Sequence, residues 1–353
     1  MTHSSEEQFC VYLYDRLVGR LHRRYDLTRF VFEDRYWDDP NRAVLGLRFE
    51  ENPRARHQSN MRLPPWFSNL LPEGRLREWI AQARRSSTER EMELLAQVGH
   101  DLPGAVRVLA ADKMVLVDLG DGGDSSGQQG SFIGSLWSFS LAGVGLKFSM
   151  LARGDRLVVP ARGERGDWIA KLPDPTYPGV PQNELAMMTL AKAVGIDVPE
   201  IRLVHRDEME PLPERVWSGQ DRLFAVKRFD RGPGRELIHI EDLAQVRGFY
   251  PDKKYTGSFE TVGALVYRGH DTESLREFAR RLAFNILIGN GDAHLKNWSL
   301  IYRDPRVPTL APAYDLVATF VYRPFVEGPE EMALHFGPSK RFEDARISTF
   351  ARL

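Results

Sequence analysis

Short apolar runs, such as Val11-Tyr12-Leu13-Tyr14 and Val44-Leu45-Gly46-Leu47, mark the first hundred residues. They give way to helical spacing between about Gly74 and Ala96, where Leu76, Trp79 and Ile80 recur on one face. Residues 1–118 therefore read as an α+β subdomain with no catalytic constellation of its own. The stretch Gly120-Asp121-Gly122-Gly123-Asp124-Ser125-Ser126-Gly127-Gln128-Gln129-Gly130 can pack no core, so a flexible linker or long loop is expected over 119–131.

Beyond it, Trp168-Ile169-Ala170-Lys171-Leu172 and Arg222-Leu223-Phe224-Ala225-Val226 read as strands, and Asn183 to Val194 as an amphipathic helix stopped by Gly195. The span Ser274 to Ile288 is the clearest helix. Leu275, Phe278, Leu282 and Ile286 form its apolar stripe, and Glu277 can pair with Arg281 on the outside. Gly289-Asn290-Gly291 ends that helix and places Asp292 on a loop. Runs at Trp298 to Tyr302 and Thr309 to Ala311 flank an Asp304-Pro305 turn, which predicts a hairpin returning Asp315 beside Asn297. Residues 132–232 and 233–353 thus form two further regions.

Composition narrows the class without naming a chemistry. The 353 residues include 42% hydrophobic and 27% charged side chains, with a net charge of -1, so attraction of the whole surface to nucleic acid or to an anionic membrane is not expected. Arg20-Leu21-His22-Arg23-Arg24 is a local basic cluster, read first as a solvated face. Cys10 is the single cysteine, which excludes an intrachain disulfide and a cysteine zinc cage. No apolar run approaches the ~20 residues of a membrane span, and the first residues lack a signal-peptide pattern. A cytoplasmic protein without a membrane segment is expected.

The chemistry concentrates in Asn290-Gly291-Asp292-Ala293-His294-Leu295-Lys296-Asn297 and in Asp315, 23 positions after Asp292. Phosphoryl transfer needs a carboxylate to accept a hydroxyl proton, with an amide and a second carboxylate for the magnesium ions that bridge nucleotide phosphates. Asp292 is the candidate base, and Asn297 and Asp315 are the candidate metal ligands. The five-residue step from Asp292 to Asn297 equals that of the protein-kinase catalytic loop. His294 could orient the loop or be structural. Lys171 ends an apolar strand where a buried ammonium needs anions; phosphates would supply them, with Glu184 as protein partner. The main chain from Val226 to Phe229 could face adenine. Ser138-Phe139-Ser140-Leu141-Ala142-Gly143-Val144-Gly145-Leu146-Lys147-Phe148 suggests a loop over phosphates, although a β-turn explains it as well.

In order, Trp66 to Gly74, Ser140-Leu141-Ala142-Gly143 with Lys147, Ile169 to Leu172, Asn183-Glu184 with Val198-Pro199, Ala225 to Arg231, Gly291 to Asn297, and Pro312 to Asp315 resemble the HipA family of bacterial toxin kinases over most of the chain. The resemblance implies an α+β fold with a two-lobed, protein-kinase-like core and an N-terminal subdomain, using ATP and Mg2+. It implies a serine/threonine kinase of a type II toxin-antitoxin pair, whose substrate is a translation component such as an aminoacyl-tRNA synthetase. A helix-turn-helix antitoxin would be the partner and would carry the contact with operator DNA. By position, Asp292 becomes the base, Asn297 and Asp315 the magnesium ligands, and Lys171 the phosphate-binding lysine. Lys227 and Phe229 become hinge residues, and Ser140 the autophosphorylated serine, with Ser138 and Ser149 as alternatives. Gly143, Glu184 and His294 complete the nucleotide site.

Two departures stand out: Lys227 occupies a hinge position where the family often has glutamate, and Leu353 follows Asp315 by only 38 residues, which makes for a short C-lobe. Small-molecule phosphotransferases of the aminoglycoside or choline kinase kind share the Gly-Asp-x-His-x-x-Asn pattern, but offer no counterpart to the N-terminal subdomain or the Ser140 loop. A co-repressor without catalysis is the non-enzymatic alternative.

Overall fold

The computed structural model describes residues 6–53, 55–83, 85–111, 146–161, 164–212, 214–323 and 328–353. The expected 119–131 linker, Ser138, Ser140 and Gly143 lie outside these residues.

The N-terminal region is an antiparallel five-stranded sheet in the order His57–Asn60, Leu27–Phe32, Arg16–Arg24, Glu7–Leu13, Val106–Ala110. Successive side chains of a strand face opposite sides. Accordingly Thr28 and Phe30 are buried while Leu27 and Val31 face outward. Behind the sheet, Phe30 and Phe49 meet Trp66 and Phe67 of the short helix Pro65–Ser68, with ring centroids 4.8 Å apart for Phe30–Phe67 and 5.5 Å for Phe49–Trp66.

The single helical stretch expected from Gly74 to Ala96 is two helices, Gly74–Ala83 and Glu91–Val98. A buried carboxylate at the second start explains the break. Glu91 accepts from Leu63 N–H at 2.8 Å, Ser68 Oγ at 2.9 Å and Arg77 Nη2 at 2.8 Å, and Arg77 also donates to Thr88 O at 2.6 Å. Such a group is stable inside only when its lone pairs are filled. Meeting that demand folds the chain back on itself between the helices.

The second sheet is also antiparallel, in the order Arg156–Val158, Lys147–Arg153, Trp168–Lys171, Arg222–Lys227, Ile201–His205. Helix Val180–Ala193 crosses it, and Met188 and Ala191 pack against Phe224 and Val226. The expected stop is present: Gly195 has φ +81°, Gly195 N–H bonds Lys192 O at 3.1 Å and Ile196 N–H bonds Ala191 O at 3.0 Å.

The remaining lobe combines helices Leu243–Arg247, Phe259–Tyr267 and Thr272–Leu287 with the sheet His239–Asp242, Ser299–Asp304, Val307–Leu310 and the hairpin Glu331–Phe336 with Ser339–Arg341. Asp271 starts the long helix by accepting from Ser274 N–H at 2.9 Å. Phe278 and Leu282 are fully buried, with Leu275 and Ile286 packed beside them. The Glu277–Arg281 pair forms at 2.8 Å, but not on the outside: Arg281 is buried and donates to Ala311 O at 2.5 Å. Helical periodicity shows which positions face inward, not that a neighbouring strand end will require a cation there.

The molecule is thus α+β, with two lobes about a cleft and an N-terminal sheet domain. One hydrophobic core runs from that domain into the second sheet, and a buried quartet of Asp101, Arg228, Asp230 and Arg231 joins the same two parts.

Candidate active site

Strand alternation decides which side chains reach the cleft, a cavity of about 1200 Å³. On Trp168–Lys171, Trp168 and Ala170 are buried beneath the sheet, which turns Ile169 and Lys171 to the other face. Lys171 Nζ lies 2.5 Å from Glu184 Oε1, one turn into helix Val180–Ala193, and also bonds Asp315 Oδ1. On the neighbouring strand, Lys147 is directly opposite Lys171. Two lysines facing each other in a sheet repel, so the pairing is stable only with anions between them.

Protonation follows from this arrangement. Burial pushes the Asp315 carboxyl up, but Lys171 and then Lys147 outweigh it and hold the group well below the usual carboxylate range. Burial would lower the Lys171 pKa, yet Asp315 and Glu184 raise it above its ordinary value. Glu184 is pushed up to about 7, chiefly by burial. The Lys147 pKa is lowered, again chiefly by burial.

The facing loop is tied by one amide. Gly289 turns the chain at φ +62°, and Asn290 Nδ2 then donates to Asn285 Oδ1 at 2.7 Å and to Asp315 O at 3.4 Å, while its Oδ1 accepts from Asp292 N–H at 3.0 Å. Asn290 therefore links the helix end to both aspartates. Asp315 itself has φ +55°, an uncommon left-handed conformation for a residue with a Cβ, which the Asn290 bond helps to hold. Asp292 is 52% exposed, its Oδ1 accepts from Tyr255 Oη at 2.6 Å, and its carbonyl accepts from Asn297 Nδ2 at 2.7 Å. His294 Nε2 is 3.8 Å from Asp292 Oδ1; burial lowers the imidazole to about 4, so it is neutral near pH 7. Its buried Nδ1 has no hydrogen-bond partner among the described residues.

At the junction of the lobes, Phe229 stands with its ring centroid 5.6 Å from that of Tyr314. Lys227 sends its ammonium to Glu200 at 3.3 Å, and its N–H bonds Glu200 O at 2.8 Å, while Arg228 N–H bonds Asp167 O at 2.9 Å. The cleft thus brings together Lys171, Glu184, Phe229, Asp292, His294, Asn297 and Asp315, with Lys227 on its border. Ser149, the alternative acceptor that is described, is fully buried and hydrogen-bonded to Arg228 Nη1 at 3.0 Å, so it is not accessible to a phosphate donor. The basic cluster is largely neutralised: Arg20 pairs with Glu33 at 2.7 Å, His22 lies 3.4 Å from Glu6, and Arg23 meets Glu7 at 3.0 Å and Glu93 at 3.3 Å.

The N-terminal domain, expected to hold no catalytic constellation of its own, nevertheless lines part of the cleft. Glu73 reaches into the site, with Oε2 accepting from Lys254 Nζ at 2.9 Å and Oε1 lying 2.6 Å from Lys296 Nζ. Burial pushes Glu73 up, but Lys296 and Lys254 outweigh it and hold it at about 2. Tyr255 was likewise missed. Neither lies in a local pattern with Asp292, and only the Trp66 to Gly74 motif signalled Glu73 at all.

The chain has counterparts among known proteins. Residues 139–352 match the HipA-like C-terminal domain and residues 9–109 the HipA N-terminal domain. Y4dM of Sinorhizobium fredii, named as a kinase, is 43% identical over 342 residues, covering 94% of this chain and 81% of that protein. The serine/threonine-protein kinase toxin HipA of Shewanella oneidensis is 25% identical over 353 residues, covering 89% of this chain and 76% of its own. The solved Shewanella oneidensis HipA, in complex with HipB and operator DNA, superposes with a TM-score of 0.72 at 21% identity, covering 97% of this chain and 82% of that one, and so shares the fold. This chain belongs to the HipA family.

Proposed function

We propose that the protein is an ATP-dependent serine/threonine kinase acting as the toxin of a toxin-antitoxin pair. The observation that carries the reading is Lys171 held between Glu184 and Asp315 on one wall of the cleft, with Asp292 and Asn297 on the other. Lys171 and Lys147 present two cations where phosphates would lie, and the neutral His294 leaves a nitrogen free to bond a ligand. The half-exposed Asp292 carboxylate is the group that can take the proton of an incoming hydroxyl. Main-chain recognition of adenine falls to Lys227 C=O and Phe229 N–H, because the Lys227 and Arg228 N–H groups are already bonded.

The donor set fits magnesium, a hard cation that prefers oxygen and keeps phosphate oxygens among its ligands. Asp315 offers a carboxylate, and Asn297, whose Nδ2 is fixed by Asp292 O, offers its amide oxygen. Bound there, the ion would neutralise phosphate charge. In the Asp315→Ala variant, calorimetric titration with ATP should show the gain in affinity on adding magnesium nearly abolished; an undiminished gain would make Asp315 structural.

The relatives' names support a toxin role, a partner akin to HipB and operator DNA met in that complex; a helix-turn-helix fold for the partner and a translation component such as an aminoacyl-tRNA synthetase as substrate are further parts of the proposal. The paired arginines of the Arg20 to Arg24 segment agree with DNA binding being delegated to the partner. Phosphorylation of Ser140 would add roughly -1.5 to -2 charge to the loop proposed to cover the phosphates, and would compete with ATP for Lys147 and Lys171. Mass spectrometry after incubation with MgATP should find phosphate on Ser140 and a weakened affinity for ATP. Active protein with no modification there, or with modification and unchanged affinity, would retire the switch.

A further inference from the structure

Two arms hold Asp292. The first is Asn297, whose amide donates to the Asp292 carbonyl at 2.7 Å, and the residue before it is Lys296. The second is Tyr255, whose hydroxyl donates to Asp292 Oδ1 at 2.6 Å, and the residue before it is Lys254. Both lysines are buried, at 9% and 6% exposure. A buried ammonium requires an anion, and an unpaired one would either move to solvent or lose its proton. The anion both lysines meet is the Glu73 carboxylate, which comes from the N-terminal domain, and Lys296 Nζ gains a second tie to that domain through Asn69 O at 3.1 Å. Asn69 is in turn anchored, its Nδ2 donating to Pro65 O at 2.9 Å and Phe249 O at 2.7 Å.

We propose that the N-terminal domain completes the catalytic centre through Glu73, a positioning residue that fixes Lys254 and Lys296 and, through Tyr255 and Asn297, sets the place and direction of the Asp292 carboxylate. This rests on the phosphoryl-transfer reading of the cleft. Glu73 touches neither Asp292 nor the triad of Lys171, Glu184 and Asp315, so its effect is on the orientation of the base and not on the anchoring of nucleotide phosphates to Lys171. It also gives the sheet domain a role in turnover: the base is aligned only while residues 69–73 are docked on the loop.

The test compares wild type, Glu73→Gln, Lys296→Met and the double variant, by MgATP-dependent phosphate transfer and by binding of a fluorescent ATP analogue. Misplacing a reacting group by about 1 Å costs roughly 100-fold. Glu73→Gln, which keeps the side-chain shape and removes the charge, should lower kcat by roughly 10- to 100-fold, with the affinity for the ATP analogue in the absence of magnesium changed less than about threefold. The double variant should be no slower than Lys296→Met alone, because both changes break one chain of contacts. Glu73→Asp, which keeps the charge on a shorter stem, should recover part of kcat. A folded Glu73→Gln protein with wild-type kcat, a loss confined to KM, or losses that multiply in the double variant would each overturn the proposal. Absence of phosphate transfer by wild type is a different result: it removes the kinase reading, and this proposal with it.

Discussion

Asp292→Asn should lower the rate of MgATP-dependent phosphate transfer by about 10² to 10⁴, the range associated with removing a positioned general base, while leaving ATP affinity and the folded structure unchanged. The geometry separates those effects. Asp292 is half-exposed and carries no buried ion pair, so its charge contributes little to the core. The amide oxygen of asparagine can still accept the Tyr255 hydroxyl, and the main-chain carbonyl that holds Asn297 is untouched. What asparagine cannot do is take a proton from a hydroxyl. Thermal melting and nucleotide titration would report an intact protein, and a single-turnover assay would report the loss. On the proposed toxin reading, expression of the same variant should leave cell growth unaffected where wild type slows it. A variant that phosphorylates at the wild-type rate would remove Asp292 from the centre of the scheme.

How much of this was legible in the sequence depends on whether a feature is local. The path from the helix Thr272–Leu287 through Gly289 to Asp292 and Asn297, and the hairpin that brings Asp315 back, are set by turn residues and apolar periodicity within about 45 positions, and both kinds of signal act over short range. Lys171 and Glu184 were readable for the same reason, as a cation at a strand end followed by a helix. Glu73 was not. It meets Lys254 and Lys296 across 181 and 223 positions, and no periodicity encodes which distant carboxylate will neutralise a lysine. The single helix expected over Gly74 to Ala96 and the outward Glu277–Arg281 pair failed similarly: both were read from helical spacing, and both are decided by buried partners on other elements, of Glu91 and of Arg281. The phosphate loop with Ser140 and Gly143 lies outside the described residues, so its expected placement over the nucleotide stands as a proposal.

The remaining large effect concerns stability. Asp101 is wholly buried and accepts from Arg228 Nη1 at 2.9 Å and Arg231 Nη2 at 2.8 Å, while Asp230 accepts from Arg228 Nε at 2.9 Å, Arg228 Nη2 at 2.8 Å and Gly104 N–H at 2.7 Å. The four side chains balance, two cations against two anions, and all four are buried. Asp101→Asn removes one anion and leaves a net buried positive charge, which should cost about 3–5 kcal/mol. Burial pushes Asp101 up, but Arg228 and Arg231 outweigh it and hold it below the ordinary carboxylate value; Asp230 is lowered in the same way. Carboxyls with a depressed folded-state pKa contribute stability that is fully present above the unfolded value of about 3.9 and is lost as pH falls below it. The penalty of Asp101→Asn should therefore be largest near neutral pH and should shrink toward pH 3, which urea unfolding at the two pH values would measure. Phe229 sits between Arg228 and Asp230, so the loosened quartet should also weaken ATP binding at the hinge. An unfolding midpoint equal to wild type at pH 7 would mean that the quartet relaxes around the asparagine, and the brace between the N-terminal domain and the nucleotide site would have to be sought in the shared apolar core instead.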